Sequence, residues 1–511
     1  MPKGAKGKRF DAMRSRLKFN TFSSLLFEVV SIVSGFILPR LILGQYGSDV
    51  NGLVNSITQF IGIITFLELG VGKVVQSSLY KPLTEHDDQK ISQIMTSAGR
   101  FFRRIALIML AYICVLIVFY PLVIRRDFGW IYTATLIAAM SISSFAQYYF
   151  GVVNRLLLVA DQKGYISYTA QTVTLVLNTV ACVILIKLNM SIHAVRLTTS
   201  LIFMTRPLFL AWYVKRHYHV DHHATYDVEP IKQKWNGMAQ HIAYTILNDT
   251  DTIVLTMFAS LADVSIYSVY HLVVYGVKRL FTSMTNGIEA MLGHLWAKQE
   301  KDRLDTAFAW TEWVIHTGVV LVFGCTLGLI LPFVQVYTHG VTDANYQQPL
   351  FAALIVLAHA CHCLRLPYNM MIFVAGHYKQ TQSNYIISAA MNIVISVLTV
   401  KLWGLVGVAI GTLVAMLYQT VWMAWYNSGN LLKRPMKHFI KQILVDAGSF
   451  AAMYLASGLF TLRSASYLSW LVIAVECFIL YFAIVFVINL VFYRKQLAAL
   501  KDIALRRLKR S

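Results

Sequence analysis

His271, Tyr275, Lys278, Thr282, Asn286 and Glu289 follow one another at three- and four-residue steps through an otherwise apolar stretch. At 100° per residue they share one stripe of a helix, with Arg279 on its edge. Charge is costly at bilayer depth unless it meets water or a partner, so a stripe carrying two adjacent cations points to a wet cavity. Hydrogen bonding between helices would account for His271 or Asn286 singly, but poorly for the cations. The preceding apolar stretch has His241, Thr245, Asn248 and Thr252 on one face, flanked by Asp249 and Asp251. Nearer the N-terminus, Asn55, Gln59 and Lys73 share a face, with Glu68 opposite. With Arg40, Lys73, Lys278 and Arg279 as its cations, a cavity lined by these stretches suits an anionic cargo such as a phosphate or pyrophosphate. Glu28, Glu68, Asp249, Asp251 and Glu289 are the candidates for ion coupling.

Other chemistry-bearing patterns lack their context. Asp249-Thr250-Asp251 has the spacing of a nucleotide-sugar metal site, but no soluble domain surrounds it. His217, His219, His222 and His223 crowd one connection and read as a solvated histidine-rich loop. Cys361-His362-Cys363 gives poor metal geometry from adjacent residues and reads as helix packing. There is no Gly-rich phosphate loop of the Walker type. The expectation is a chain with no catalytic residue, no metal and no cofactor.

The elements that position these residues are membrane helices. The chain has 511 residues, 57% of them hydrophobic and only 14% charged. So little charge could not cover the surface of a soluble domain. Fourteen apolar spans are expected, at 20–43, 51–79, 101–124, 130–158, 165–187, 191–214, 236–259, 264–292, 308–334, 350–375, 382–402, 404–427, 437–462 and 466–493. The net charge of +21 invites a nucleic-acid partner, and the distribution of charge excludes one. Even-numbered connections, the span ends beside them and both tails carry 33 of the 45 Lys and Arg residues. Odd-numbered connections carry five (Arg125, Arg126, Lys187, Lys401 and Arg463), and seven lie deep in spans. This bias places both termini in the cytoplasm. The basic start reads as a retained tail rather than a cleaved signal. The six cysteines all fall in apolar stretches, so no disulfide framework is implied.

The chain also repeats itself at a spacing of about 214 residues. Asp49-Val50 recurs as Asp263-Val264, Asn178 as Asn392, Lys187 as Lys401, and Ala211-Trp212-Tyr213 as Ala424-Trp425-Tyr426. An even number of spans separates the copies, so both have the same orientation. The expected organisation is an all-α polytopic membrane protein of two parallel-repeat six-helix lobes plus two C-terminal helices. Residues 1–19 form a basic cytoplasmic tail, 20–214 an N-lobe, 215–235 a cytoplasmic linker and 236–427 a C-lobe. Residues 437–493 form spans thirteen and fourteen, and 494–511 a basic amphipathic tail suited to an anionic leaflet.

Several stretches resemble one family. Leu38-Pro39-Arg40-Leu41-Ile42-Leu43-Gly44, Tyr46-Gly47, Asn51-Gly52-Leu53 and Phe66-Leu67-Glu68-Leu69-Gly70-Val71-Gly72 are similar to the first- and second-helix signatures of polysaccharide flippases. Asp249 to Asp251, Ile253-Val254-Leu255 and Ile266-Tyr267-Ser268-Val269-Tyr270 resemble the entry to that group's seventh and eighth helices. These are the Wzx-type lipid-linked oligosaccharide flippases of the MOP superfamily, relatives of MATE exporters and of the lipid II flippase MurJ. The resemblance implies alternating access and a polyprenyl-pyrophosphate-linked glycan carried to the outer leaflet. It further implies a bacterial or archaeal plasma membrane, and polysaccharide polymerase machinery as a partner beside the membrane lipids.

Two alternatives remain in view. A MATE-like ion-coupled exporter of small cations would be expected to show an acid-dominated cavity. A membrane polysaccharide polymerase or ligase needs a large outer loop, and the longest here is about residues 335–349.

Overall fold

The computed structural model describes residues 3–124, 128–221, 224–226 and 250–500, leaving aside the side chains of 3–18, 65–70, 73 and 286. Every regular element among the described residues is helical. A backbone in hydrocarbon must satisfy its own polar groups, and a helix does so within one segment. The chain divides into two compact units, Met1–Ile242 and Ala243–Ser511.

Unit 1 holds α1 (Lys3–Gly62), α2 (Phe66–Glu85), α3 (Asp88–Val123), α4 (Trp130–Ala146), α5 (Val152–Ala160), α6 (Gly164–Lys187) and α7 (Ile192–His217). The first part of α1 lies along α6 and is pinned at both ends. Asn20 Nδ2 donates to the Gln162 carbonyl (2.8 Å), and Tyr165 N–H donates to Asn20 Oδ1 (2.6 Å). At the other end Gln45 Nε2 donates to Asn189 Oδ1 (2.7 Å), and the Tyr46 hydroxyl to the Met190 carbonyl (2.6 Å). A π-helical turn, Gln147–Gly151, joins α4 to α5. A Cβ on Gly151 would stand 2.7 Å from Pro207 Cβ, so the bare backbone lets α7 approach.

Unit 2 holds a helical stretch α8 (250–258), then α9 (Leu261–Ala297), α10 (Lys301–Tyr337), α11 (Pro349–Leu364), α12 (Leu366–Val374) and α13 (Tyr378–Trp403). It ends with α14 (Leu405–Tyr426), α15 (Lys437–Ala456) and α16 (Tyr467–Phe492). α9 opens on a capping box between Ser260 and Asp263. Pro367, with no N–H to donate, interrupts the helix between α11 and α12 at Arg365. α13 and α14 meet backbone to backbone. A Cβ on Gly407 would lie 2.5 Å from the Thr399 carbonyl oxygen, and one on Gly411 2.9 Å from Ser396 N. Small residues four apart allow this approach between membrane helices.

Eleven helices are long and apolar enough to cross a membrane among the described residues, against fourteen expected spans. The difference has three sources. Helix α1 runs spans one and two together through a break at Gly47 (φ 82°, ψ 178°). Span seven lies largely outside the described residues. The polar stripe keeps α9, though 37 residues long, below the apolarity of the others. The offset of the sequence repeat recurs in the backbone. Left-handed residues end helices at His86 and Gln299, at Gln162 and Gly376, and at Asn189 and Gly404, each pair 213 to 215 residues apart.

Two outcomes follow from this arrangement. Gly411→Leu should lower the thermal midpoint of the purified protein, on the scale of ~1–3 kcal/mol for overpacking a helix contact. Gly448→Ala, where nothing stands within 4 Å of the added methyl, should leave it unchanged or raise it. The loop-charge bias is tested by single cysteines in a cysteine-free background. Ser48 is buried, so the outer label goes on Asn345, which is exposed, and the inner one on exposed Thr225. A cysteine at 345 should react with an impermeant maleimide in intact cells, and one at 225 only after permeabilisation. The opposite pattern would invert the orientation.

Candidate functional site

The structure places the α9 stripe on two sides of the helix. Lys278 is buried at 4% exposure, its Nζ 5.4 Å from the centre of the Tyr275 ring, while Arg279 beside it is exposed. Tyr267, His271 and Tyr275 stack in turn along the helix at 5.4 and 5.3 Å. Thr282 and Glu289 are half-buried, and the Asn286 side chain lies outside the described residues.

Beneath the stripe, α11 contributes residues that the sequence reading left to packing. His359 meets His271 edge to face at 5.7 Å. Lys278 connects to His271 through the Tyr275 ring, which stacks on the imidazole. Arg365, at the interruption made by Pro367, donates from Nη2 to His362 Nδ1 (2.8 Å) and from Nη1 to Gln419 Oε1 on α14. A guanidinium only donates, so Nδ1 of His362 accepts and its ring proton belongs on Nε2. His359 Nδ1 lies 3.0 Å from the Ile355 carbonyl, which assigns the proton there and leaves Nε2 as the acceptor. The result is a basic cluster of Lys278, His359, His362 and Arg365, all buried, with half-buried His271 at its edge. The three-residue spacing of 359, 362 and 365 was the available signal.

The opposite face of α11 borders an apolar cavity of about 470 Å3 between α11, α14 and α15. Leu357, Ala360, Leu364, Val421, Ala447 and Ala451 are among its walls, and Asp446 is its one acid. The basic cluster and the apolar cavity therefore lie on two faces of one helix.

A second polar centre gathers around Asp251, buried at 4%. The Thr412 hydroxyl donates to its Oδ2 at 2.7 Å, and the Tyr267 hydroxyl to the same oxygen at 3.1 Å. Asn392 Nδ2 donates to Thr412 Oγ1 (2.9 Å) and to Asp251 Oδ1 (3.4 Å). Asn392 Oδ1 is buried with no hydrogen-bond partner among the described residues. The Gly407–Gly411 contact is what brings Asn392 of α13 to Thr412 of α14. One carboxylate among neutral oxygens suits a single positive charge, a proton or a monovalent cation. No group of three or more His, Cys, Asp and Glu residues placed to hold a metal occurs among the described residues.

A third network was missed in sequence. His316 Nδ1 lies 2.6 Å from Asp446 Oδ2, and Arg434 pairs with Glu312 at 2.9 Å. The Tyr368 hydroxyl donates to Glu312 (2.6 Å), Tyr493 to Gln442 (2.6 Å), and Trp313 Nε1 to Asn489 (2.7 Å). These bonds join α10 to α12, α15 and α16. The spacing of Glu312 and His316, one turn apart, was the only trace of it.

The other sequence candidates are not among the residues of these clusters. In unit 1, Glu28 and Gln59 are half-buried, and Asn55 donates back to the Asn51 carbonyl at 2.8 Å. Arg40 is half-buried, its Nη1 2.9 Å from where a Cβ on Gly44 would stand. The side chains of Glu68 and Lys73, and the whole of His241, Asn248 and Asp249, lie outside the described residues.

No protein-family profile matches the chain, and no curated protein does. Solved structures do. The chain is similar to the lipid II flippase MurJ in an inward closed conformation, with a TM-score of 0.66 and 14% identity over 93% of this chain and 100% of that one. It is similar to a multidrug resistance MATE family transporter of the MOP superfamily in its inward-facing form (TM-score 0.58, 16% identity, 83% and 99% covered). The outward-facing form of a multidrug resistance MATE family transporter of that superfamily matches at 0.56 and 14%, with 83% and 97% covered. The fold is the one shared by these transporters.

A double-mutant cycle tests whether the third network is a structural clamp. His316→Ala and Asp446→Ala should each lower the thermal midpoint, with a coupling of ~1–3 kcal/mol between them. Additive effects would show that the pair is not energetically joined.

Proposed function

We propose that this chain is a flippase that moves polyprenyl-pyrophosphate-linked oligosaccharide repeat units from the cytoplasmic to the outer leaflet by alternating access. Its setting is a bacterial or archaeal plasma membrane with both termini inside, and its product feeds a polysaccharide polymerase. The observation that carries the reading is α11, which has a buried basic cluster on one face and an apolar cavity on the other. A lipid pyrophosphate needs both environments at once: cationic donors for its head and a hydrocarbon-lined space for its chain. A carrier of small cations needs neither. The fold shared with MurJ and MATE transporters supports transport. Asp251 is the coupling site in this reading, since its carboxylate and the orphan oxygen of Asn392 can hold one cation during the cycle.

The test is reconstitution in liposomes with fluorescent polyprenyl-pyrophosphate glycans, scoring their movement between leaflets. K278Q/R279Q should reduce flipping at least tenfold while the protein stays inserted and monodisperse. Ala451→Trp, which fills the apolar cavity, should slow a long-chain substrate far more than one with a short isoprenoid chain. Asp251→Asn should make the rate insensitive to sodium and proton gradients. Full flipping by K278Q/R279Q would remove these cations from the headgroup site, and equal loss for both chain lengths in Ala451→Trp would remove the cavity from the tail site.

A further inference from the structure

Unit 1 contains a deep cation that the proposed transport site does not use. Arg196, on the second turn of α7, borders a cavity of about 290 Å3 walled by residues of unit 1 alone. Its Nε is buried without a hydrogen-bond partner among the described residues. A guanidinium keeps its charge at any relevant pH, and leaving one unpartnered at membrane depth is costly. No carboxylate lines this cavity; Ser143, Ser144, Tyr148, Thr199 and Ser200 bring hydroxyls to it instead. Serine and threonine in a helix commonly donate to their own backbone, as Ser141 does to the Ile137 carbonyl at 2.7 Å and Thr199 to that of Val195 at 3.0 Å. The side chains of Ser143, Ser144 and Ser200 make no such bond among the described residues, although all three border the cavity.

We infer that this cavity is a second oxyanion site, holding a singly charged phosphate ester on the fork of Arg196 and the surrounding serine hydroxyls. One guanidinium matches one negative charge, and its planar donors fit two phosphate oxygens at once. The hydroxyls supply the remaining donors without adding charge. At about 30 Å3 per water, the volume holds the equivalent of roughly ten waters. That is more than a bare ion needs and enough for a phosphate with part of its alcohol. The same chemistry is offered by a free phosphate in its singly charged form and by the phosphodiester head of an anionic phospholipid. Because the walls all belong to unit 1, the site is separate from the basic cluster around Lys278.

Thermal unfolding of the purified full-length protein, followed by tryptophan fluorescence, tests this. One arm titrates inorganic phosphate in neutral detergent against chloride at equal ionic strength. The other compares nanodiscs of phosphatidylglycerol with nanodiscs of phosphatidylcholine. At least one arm should raise the wild-type midpoint by a few degrees, and R196Q should lose that rise, with R196K keeping part of it. A response to phosphate identifies a free ester as the ligand, and a response to phosphatidylglycerol alone identifies a lipid headgroup. S143A/S144A/S200A, which removes no packing methylene and no charge, should weaken the response several-fold and serves if R196Q does not fold. Absence of stabilisation in both arms, or a wild-type response from both variants, would overturn the site.

Discussion

A charge held at membrane depth has only protein groups or a ligand to offset the loss of water, and this constraint orders the whole chain. Unit 2 meets it in two ways. Glu312 with Arg434, and His316 with Asp446, set opposite groups against each other and tie α10 to α15 and the connection before it. Arg365 is held differently, by the amide of Gln419 and the imidazole of His362, which orient the guanidinium without opposing its charge. Pairing of the first kind builds a scaffold, because removing either partner strands the other. Orientation of the second kind fixes where the guanidinium donors point. The contrast separates the clamp around α15 and α16 from the basic cluster under α9.

The helices were legible because hydrocarbon leaves few alternatives to them, and the span limits followed from where polar residues interrupt apolar runs. The α9 stripe was legible as a stripe, but its division was not. Adjacent residues on a helix point 100° apart, so Lys278 and Arg279 can belong to one pattern and face different surroundings. His359 went unremarked among apolar residues and His362 was read as packing, and only the packing of α11 against α9 and α14 collects them with Arg365. The same holds for Asp446, more than a hundred residues along the chain from the Glu312 and His316 it is gathered with. Gly407 and Gly411 carry no chemistry, yet their closeness to α13 aligns Asn392 with Thr412. Contacts of that length are written in shape, which periodicity does not record.

The repeat shows where chemistry was added to a common plan. At the offset of 214 residues, Asn392 corresponds to Asn178, which is also buried and accepts from the Cys182 thiol at 3.4 Å. Asp251 corresponds to Ile37, which is 40% exposed, so the acid that organises the polar centre of unit 2 has no equivalent in unit 1. Arg365 corresponds to Gly151, whose bare backbone admits Pro207 instead of a guanidinium. Arg196, in turn, corresponds to Ile410, beside the glycine contact that unit 2 uses to close α13 on α14. At 151 and 365 the same helical position thus serves close packing in one unit and a deep charge in the other. A side chain large enough to carry charge and a close backbone contact cannot occupy one position. The asymmetry puts the acid of the Asp251 centre in one unit and the cavity of Arg196 in the other.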